Sequence, residues 1–331
     1  MNNKVISVIV GLTIFTLTSS FAGEKHIRSM KLPPQLHSIQ EITDWQNKVR
    51  NQLIQLMKLP SSQEAPADFA EKTLTITEKG KFTIKECEIQ STNNRRIKIC
   101  LAYLNDAPMR KEKSPAVVCI HGHGGSRWSP FSDEEHFYHQ FGIKIAEAGF
   151  VVISTDVGQH QVYEKERTLM GERTWDLMRC IDYLISLPWV DAEKIGCAGL
   201  SLGGEMAMWL SALDLRIKAV CVSGFLTYMD QMEQNHCMCW KFPGLRELVD
   251  FPDIYALIAP RAILFQNGEK EPPDQFPPSI AIKALEEIKP AYKIFNKENN
   301  LELVIHGGSH EIEIHSLLRF FKQYLHTGAQ N

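Results

Sequence analysis

The chain has 331 residues, of which 44% are hydrophobic and 23% are charged, and its formal net charge is −3 at pH 7. These values are ordinary for a globular protein with one large or two small domains. The densest basic cluster is the short RKEK at 110–113, and no basic stripe accompanies it. The composition therefore argues against a nucleic-acid partner.

Residues 1–22 have the pattern of a secretory signal peptide. One Lys precedes the apolar run VISVIVGLTIFTLTSS, and Ser20 and Ala22 stand at the small positions before a cleavage site. We expect cleavage after Ala22, an exported protein that is periplasmic or secreted, and no stable membrane anchor after cleavage. A membrane anchor is the alternative, although the run is short for a spanning helix.

Residues 23–80 are predicted to form an N-terminal helical extension and a linker. Within them, apolar residues recur at helical spacing over 38–59, with Ser38 and Glu41 in the form of a capping box and Pro60 after the run. We expect this amphipathic helix to pack on the main body of the protein.

The segment 82–103 alternates like two antiparallel strands on either side of the turn STNNRR. Cys87 and Cys100 lie symmetrically about this turn, so they could face each other and form a disulfide, or both could be free. Cys119, Cys197 and Cys221 lie inside apolar, strand-like runs and are expected to be free, buried side chains.

From Pro115 onward, short apolar strands alternate with helical patterns. Uniformly apolar strands that alternate with helices predict an α/β fold, in which a mostly parallel sheet carries helices on both faces. We assign this domain to 81–327. The predicted strands are 115–120, 150–156, 194–199, 217–224, 261–267 and 301–306, and the predicted helices are 133–149, 172–188, 202–213, 279–289 and 311–325.

A G-x-S-x-G motif, formed by Gly199, Ser201 and Gly203, lies between a predicted strand and a predicted helix. This is the context that a serine nucleophile requires, since the serine must occupy a sharp turn in which neighbouring side chains would clash. The start of the helix supplies N–H groups for developing negative charge, and the N–H of Leu202 is one predicted oxyanion donor. A glycine-rich turn without catalytic function is the alternative.

The loop CIHGHGGSRW, which follows the strand at 115–120, is the predicted source of a second oxyanion donor. We assign this donor to the N–H of His123, with Gly124 as the alternative. His121 and His123 could also bind a metal, but no matching carboxylate pair is evident. Arg127 and Trp128 follow in this loop and either contact substrate or belong to a surface loop.

The stretch NHCMCWKFPG, at 235–244, contains His236, Cys237 and Cys239, which could bind zinc. Three ligands so close together, without a partner pair elsewhere, are a poor match for a tetrahedral site, so we expect no metal. The segment is predicted to overhang the active site, where Trp240 lines a substrate cleft or fills the core. Arg173 and Asp176 are expected to form a structural ion pair.

Four pieces of the region 115–325 give it a clear likeness to a known family. They are HGHGG, WVDAEKIGCAGLSLGG, APRAILFQNGEKE and HGGSHE. It resembles the α/β-hydrolase superfamily, and within it the exported bacterial branch around acetyl xylan esterases and dienelactone-hydrolase-like proteins. The helix at 38–59 also resembles the N-terminal helix of that branch. These motifs specify fold and nucleophile better than they specify substrate.

The resemblance implies the remaining members of a Ser-His-acid triad, in the chain order Ser, acid, His. His310, in HGGSHE, matches the position of the base, ahead of His306 and His315. We assign the acid to Glu271, which stands where relatives usually carry Asp. Because of this departure, Asp274 is the alternative, with Glu269 and then Asp230, after the preceding strand, as further choices.

The sequence therefore predicts a serine esterase that acts on acyl groups of a glycan or small-molecule ester through an acyl-Ser201 intermediate, without a cofactor. A serine peptidase of the prolyl-oligopeptidase type and a non-catalytic binding module with the same fold are the alternatives. The acyl group and the oligomeric state are left open by the sequence.

Overall fold

The structure, a computed structural model, describes residues 28–134 and 136–326. The predicted signal peptide and its cleavage site lie outside these residues. In the described part of the chain, nine strands form one sheet: β1 Lys72–Lys79, β2 Phe82–Thr92, β3 Arg95–Leu104, β4 Ser114–Ile120, β5 Val151–Thr155, β6 Val190–Leu200, β7 Ile217–Ser223, β8 Ala262–Gly268 and β9 Leu301–His306.

The strand order in the sheet is β1–β2–β3–β5–β4–β6–β7–β8–β9. Strands β4 to β9 pair in parallel, whereas β1, β2 and β3 pair antiparallel with one another, and β3 pairs antiparallel with β5. Because the parallel strands all end at the same edge, the loops that follow them converge there. The predicted α/β fold with a mostly parallel sheet is confirmed.

Helices cover both faces of this sheet, as expected where parallel strands such as β4, β5 and β7 are apolar along most of their length. The side chains of α1, α3, α4, α7 and α8 pack on one face, and those of α2 and α9 pack on the other. None of the helices in 28–134 and 136–326 has the length and apolar character needed to cross a membrane. The helices are α1 Ile39–Met57, α2 Phe141–Glu147, α3 Leu169–Ser186, α4 Leu202–Leu213, α5 Met229–Asn235, α6 Leu245–Leu248, α7 Phe251–Ala256, α8 Pro278–Ile294 and α9 Ile314–Phe321.

Helix α1 is firmly attached to the body of the protein, as predicted. Its first turn is capped by Ser38, whose hydroxyl accepts the N–H of Glu41 at 3.2 Å. On its inner face, Arg50 is buried and donates to the carbonyl of Ala212 at 2.9 Å. A buried guanidinium without such an acceptor would be costly, so this contact fixes the position of α1 against α4.

Helix α2 and strand β1 differ from the prediction, and the short helices α5, α6 and α7 were not predicted. The helix expected over 133–149 is only Phe141–Glu147, because His139 and Gln140 take left-handed φ angles of 51° and 53° and interrupt it. Strand β1 was not predicted, although its sequence KTLTITEK alternates Thr with Leu74 and Ile76. It lies at the edge of the sheet and is largely exposed.

Cys87 and Cys100 are both free thiols, and they lie on opposite faces of the sheet. Near the turn, Thr92 pairs with Arg95, but a bulge between Gln90 and Thr92 shifts the register, so that Cys87 pairs with Ile99 rather than with Cys100. A shift of one residue reverses which face a side chain occupies. The bulge therefore separates two cysteines that a regular hairpin would have placed opposite each other.

Candidate active site

Ser201 occupies the turn between β6 and α4 in a conformation that is rare for a residue with a side chain, with φ 59° and ψ −121°. Such backbone conformations cost about 1–3 kcal/mol and are typical of functional sites. A Cβ on Gly199 would collide with the carbonyl of Gly203, and a Cβ on Gly203 would collide with the carbonyl of Ile120. The two glycines are therefore a steric requirement of this turn.

The loop that follows β4 packs directly against Ser201. A Cβ added to Gly122 would lie 3.3 Å from the Cβ of Ser201, and the N–H of Gly122 already donates to the hydroxyl of Tyr138 at 2.6 Å. The next N–H, that of His123, donates to no acceptor in the described residues. The N–H of Leu202 is at the first position of α4, where no intrahelical partner exists. Both predicted oxyanion donors are thus unengaged.

His310 and Glu271 form a close pair. The two atoms His310 Nδ1 and Glu271 Oε1 are 2.6 Å apart, and the side chain of Glu271 is 1% exposed. With Nδ1–H donating to this carboxylate, Nε2 is the ring nitrogen that can accept a proton. The imidazole also stacks on Phe276, with ring centroids 5.4 Å apart and an angle of 18° between the planes.

The other carboxylates proposed from the sequence lie elsewhere. Asp274 and Glu269 are exposed, and no hydrogen bond joins either of them to His310 among the described residues. Asp230 forms an ion pair with Arg246. Of the four candidates, only Glu271 contacts the histidine.

Ser201 and His310 approach the same point of the sheet edge. The N–H of Ser201 donates to the carbonyl of Ser223 at 2.9 Å, and a Cβ on the next residue, Gly224, would lie 2.6 Å from His310 Cε1. No hydrogen bond joins the Ser201 hydroxyl to the imidazole within the described part of the chain. Catalytic hydrogen bonds are often long before substrate binds, so this geometry is compatible with proton transfer.

His121 has a structural role in the loop. It is fully buried, its Nε2 accepts the N–H of Val157 at 3.0 Å, and its Nδ1 lies 2.8 Å from the carbonyl of Gly122. Burial lowers its pKa, so the ring is neutral at pH 7. Because both ring nitrogens are engaged, His121 is not a free metal ligand.

The predicted substrate residues have different surroundings. Arg127 lines a surface cavity of about 680 Å³ next to Gly124 and is held by Glu86 and Asp156. Trp128 is half-buried and packs against the core on the α2 side of the sheet.

Trp240 corrects the expectation of a substrate cleft at 235–244. It is 0% exposed, and its ring centroid lies 5.5 Å from that of Phe251. Phe242, from the same segment, packs on Trp209 of α4 with centroids 6.0 Å apart. The segment folds its aromatic side chains into the core because these large apolar surfaces are stabilised there.

Arg173 does not pair with Asp176, as the sequence had suggested. Asp176 is held instead by Arg95, through contacts of 2.6 and 2.7 Å. Arg173 is fully buried, donates to the carbonyl of Gln159, and its Nη1 lies 3.5 Å from the Sγ of Cys239. The guanidinium of Arg173 therefore lies between the loop after β5 and Cys239, and not beside Asp176.

Four potential metal ligands come together at the loop that follows β4. They are His123, His160, Cys237 and Cys239. Their potential ligand atoms all lie within 4.8 Å of one another. His236, which the sequence placed in a group with the two cysteines, is not part of this cluster and packs on Phe276. Burial lowers the pKa of His123 to about 4, with the charge of Arg173 adding to the effect, so its imidazole is neutral at pH 7.

Comparisons with known proteins agree with this architecture. Residues 101–234 match the dienelactone hydrolase family. A Bacillus subtilis protein named "Putative hydrolase YtaP" is 27% identical over 240 residues, which cover 64% of this chain and 79% of that protein.

Two solved structures have the same fold. A Bacteroides fragilis protein described as a "putative acetyl xylan esterase" superposes with a TM-score of 0.70 at 16% identity, over 91% of this chain and 86% of that one. A glucuronoyl esterase from Solibacter usitatus gives a TM-score of 0.67 at 16% identity, over 90% of this chain and 96% of that one. The chain therefore has the fold of these esterases, and its residues 101–234 match the dienelactone hydrolase family.

Proposed function

We propose that the protein is a serine-dependent carboxylic ester hydrolase in which Ser201, His310 and Glu271 form the catalytic triad. The observation that carries this proposal is the 2.6 Å contact between His310 and the buried Glu271, at the edge of the sheet where Ser201 occupies its strained turn. A serine hydroxyl is a weak nucleophile at neutral pH, and a base held by a carboxylate is the arrangement that activates it.

The reaction follows from these groups. The Oγ of Ser201 attacks the ester carbon, its proton passes to Nε2 of His310, and the carbonyl oxygen becomes an oxyanion. The N–H groups of Leu202 and His123 stabilise this oxyanion, a contribution of about 3–4 kcal/mol per donor in other serine hydrolases. The alcohol leaves with the proton from His310, and water then releases the acid from acyl-Ser201 by the same steps. Glu271 remains ionised and stabilises the imidazolium. No cofactor takes part.

We propose as substrate an acyl ester of a carbohydrate or a small polar alcohol, with acetyl as the first acyl group to test. The cavity beside the oxyanion loop supports this, since its lining includes Arg95, Arg127, Asp156 and Gln159, which suit a hydroxyl-rich alcohol better than a long apolar chain. The Bacteroides fragilis and Solibacter usitatus proteins, described as acetyl xylan and glucuronoyl esterases, add support from proteins of the same fold.

The proposal includes export of the protein to the periplasm or medium. Residues 1–22 would be removed, and 23–80 would remain as an extension of the catalytic domain at 81–327. Mass spectrometry of the mature protein checks this, since cleavage after Ala22 leaves Gly23 as the first residue.

The test is hydrolysis of a chromogenic acetate ester by the purified protein and by its Ser201→Ala variant. We expect kcat to fall by about 10⁴-fold or more, because the variant lacks the nucleophile. Ser186→Ala is the matched control, since Ser186 ends α3 and its hydroxyl donates to the carbonyl of Tyr183 at 2.7 Å, away from the triad residues in the chain. Equal rates in all three proteins would contradict an acetylesterase and would direct attention to peptide substrates or to a binding role.

A further inference from the structure

A cluster of two histidines and two cysteines joins three separate segments of the chain. His123 comes from the loop after β4, His160 from the loop after β5, and Cys237 and Cys239 from the segment between β7 and β8. His123 Nε2 lies 3.2 Å from Cys239 Sγ, and His160 Nε2 lies 3.3 Å from Cys237 Sγ. Each thiol therefore already faces one imidazole.

The four potential donors match the preferences of zinc. Two imidazole nitrogens and two sulfurs form a Cys₂His₂ set, with Zn–N near 2.0–2.1 Å and Zn–S near 2.3 Å in a tetrahedron. Those lengths give edges of about 3.3–3.8 Å between donor atoms. All four donor atoms lie within 4.8 Å of one another, so the largest separation must shrink by at most about 1–1.5 Å. Three of the side chains are exposed, so rotation about their own bonds can achieve this.

The surroundings hold the donors in position. Trp240, next to Cys239, is fully buried and anchors the turn that carries both thiols. The guanidinium of Arg173 donates toward Cys239 Sγ at 3.5 Å and also to the carbonyl of Gln159, the residue before His160. The buried guanidinium therefore contacts one proposed ligand, Cys239, and holds the segment that carries another, His160. Second-sphere groups at metal sites act in this way.

We propose that His123, His160, Cys237 and Cys239 bind one zinc ion, which ties the loop after β4 to the segment between β7 and β8. Four protein ligands leave no open coordination position, so this ion is structural and does not activate water. The inference goes beyond the proposed esterase function, and its test needs no activity measurement.

If the proposed function also holds, the ion has a consequence for catalysis. The imidazole of His123 would bind zinc while its backbone N–H stabilises the oxyanion, so the metal would act as a positioning group for that donor. Removal of the metal is then expected to lower kcat more than it raises KM.

The experiment measures metal in the full-length protein, purified without a histidine tag and under reducing conditions. We expect about one zinc per chain by elemental analysis, and replacement by Co²⁺ should give the intense visible bands of tetrahedral, thiolate-bound cobalt. Cys237→Ser and His160→Ala should lose stoichiometric metal and the Co²⁺ spectrum. His37→Ala, at an exposed histidine that is not part of the cluster, should keep both.

Thermal unfolding with and without chelator separates loss of metal from loss of folding. The chelated wild-type protein and the Cys237→Ser variant should melt at similar temperatures, and added Zn²⁺ should raise the melting temperature of the wild type only. The proposal is overturned if the wild type binds no more zinc than Cys237→Ser. It is also overturned if mass spectrometry shows Cys237 and Cys239 as free thiols after reduction and the protein still takes up no Zn²⁺.

Discussion

The buried contact between His310 and Glu271 gives the sharpest prediction. Substituting Glu271→Gln keeps the shape of the side chain but replaces one oxygen by an NH₂ group. If the NH₂ faces His310 Nδ1, two donors meet, and the imidazole must move its proton to Nε2, where it can no longer accept the proton of Ser201. If the NH₂ faces the other way, it takes the place of Oε2, which has no partner in the described residues.

Both orientations are unfavourable, and the size of the effect follows from them. An unsatisfied buried donor costs about 1–3 kcal/mol, and the charge that stabilises the imidazolium is lost in either case. The corresponding Asp-to-Asn change in a serine protease lowers kcat by about 10⁴-fold because the wrong tautomer forms. We therefore expect kcat for acetate ester hydrolysis to fall by about 10³–10⁴-fold, or about 4–5.5 kcal/mol in activation free energy.

The assay compares Glu271→Gln with Asp274→Asn under saturating substrate. Asp274 is exposed and lies three residues further along the same loop, so its substitution should leave kcat within about twofold. A Glu271→Gln variant that keeps kcat within tenfold of the wild type would refute this reasoning. A large loss in Asp274→Asn instead would show that the loop rearranges when substrate binds.

Two further predictions concern residues next to the triad. Gly224→Ala should lower kcat by about 100-fold, because the new Cβ would lie 2.6 Å from His310 Cε1 and displace the ring. Gly80→Ala is the control: Gly80 has a similar φ of 61° but no atom within 4 Å, so equal activity losses in both variants would rule out the steric cause. Burial raises the pKa of Glu205 to about 7, above its usual value of 4.5 in the unfolded chain. The folded protein binds the proton of the Glu205 carboxyl more tightly than the unfolded chain does. The stability that this proton contributes is therefore full below about pH 4.5 and is lost as the pH rises through 7. Glu205→Gln should raise the melting temperature relative to the wild type at pH 8 but not at pH 4.5, and a pH-independent difference would contradict this assignment.

The fold and the strained turn could be predicted because they depend on local patterns. Uniformly apolar strands that alternate with helices predict a covered parallel sheet wherever they occur. The G-x-S-x-G motif likewise acts over five consecutive residues, since Gly199 and Gly203 remove side chains that would collide within the turn around Ser201.

The cysteine pairing and the metal cluster could not be predicted, and the acid could only be ranked, because each depends on contacts between distant segments. The resemblance puts Glu271 ahead of Asp274 and Glu269, but only the path of their loop buries Glu271 against His310. Similarly, the bulge near Ser91 decides which face Cys87 occupies, although nothing in the residues around it signals a shift of register.

The sequence by itself determined the class of sheet, the position of Ser201 and the candidates for its partners, since periodicity and turn sterics act over a few residues. The tertiary structure alone decided which carboxylate meets His310, that Trp240 lies in the core, and that His123 and His160 join Cys237 and Cys239. The physical reason is that these contacts form where loops after different strands converge at one edge of the sheet, and their spacing along the chain does not record that convergence.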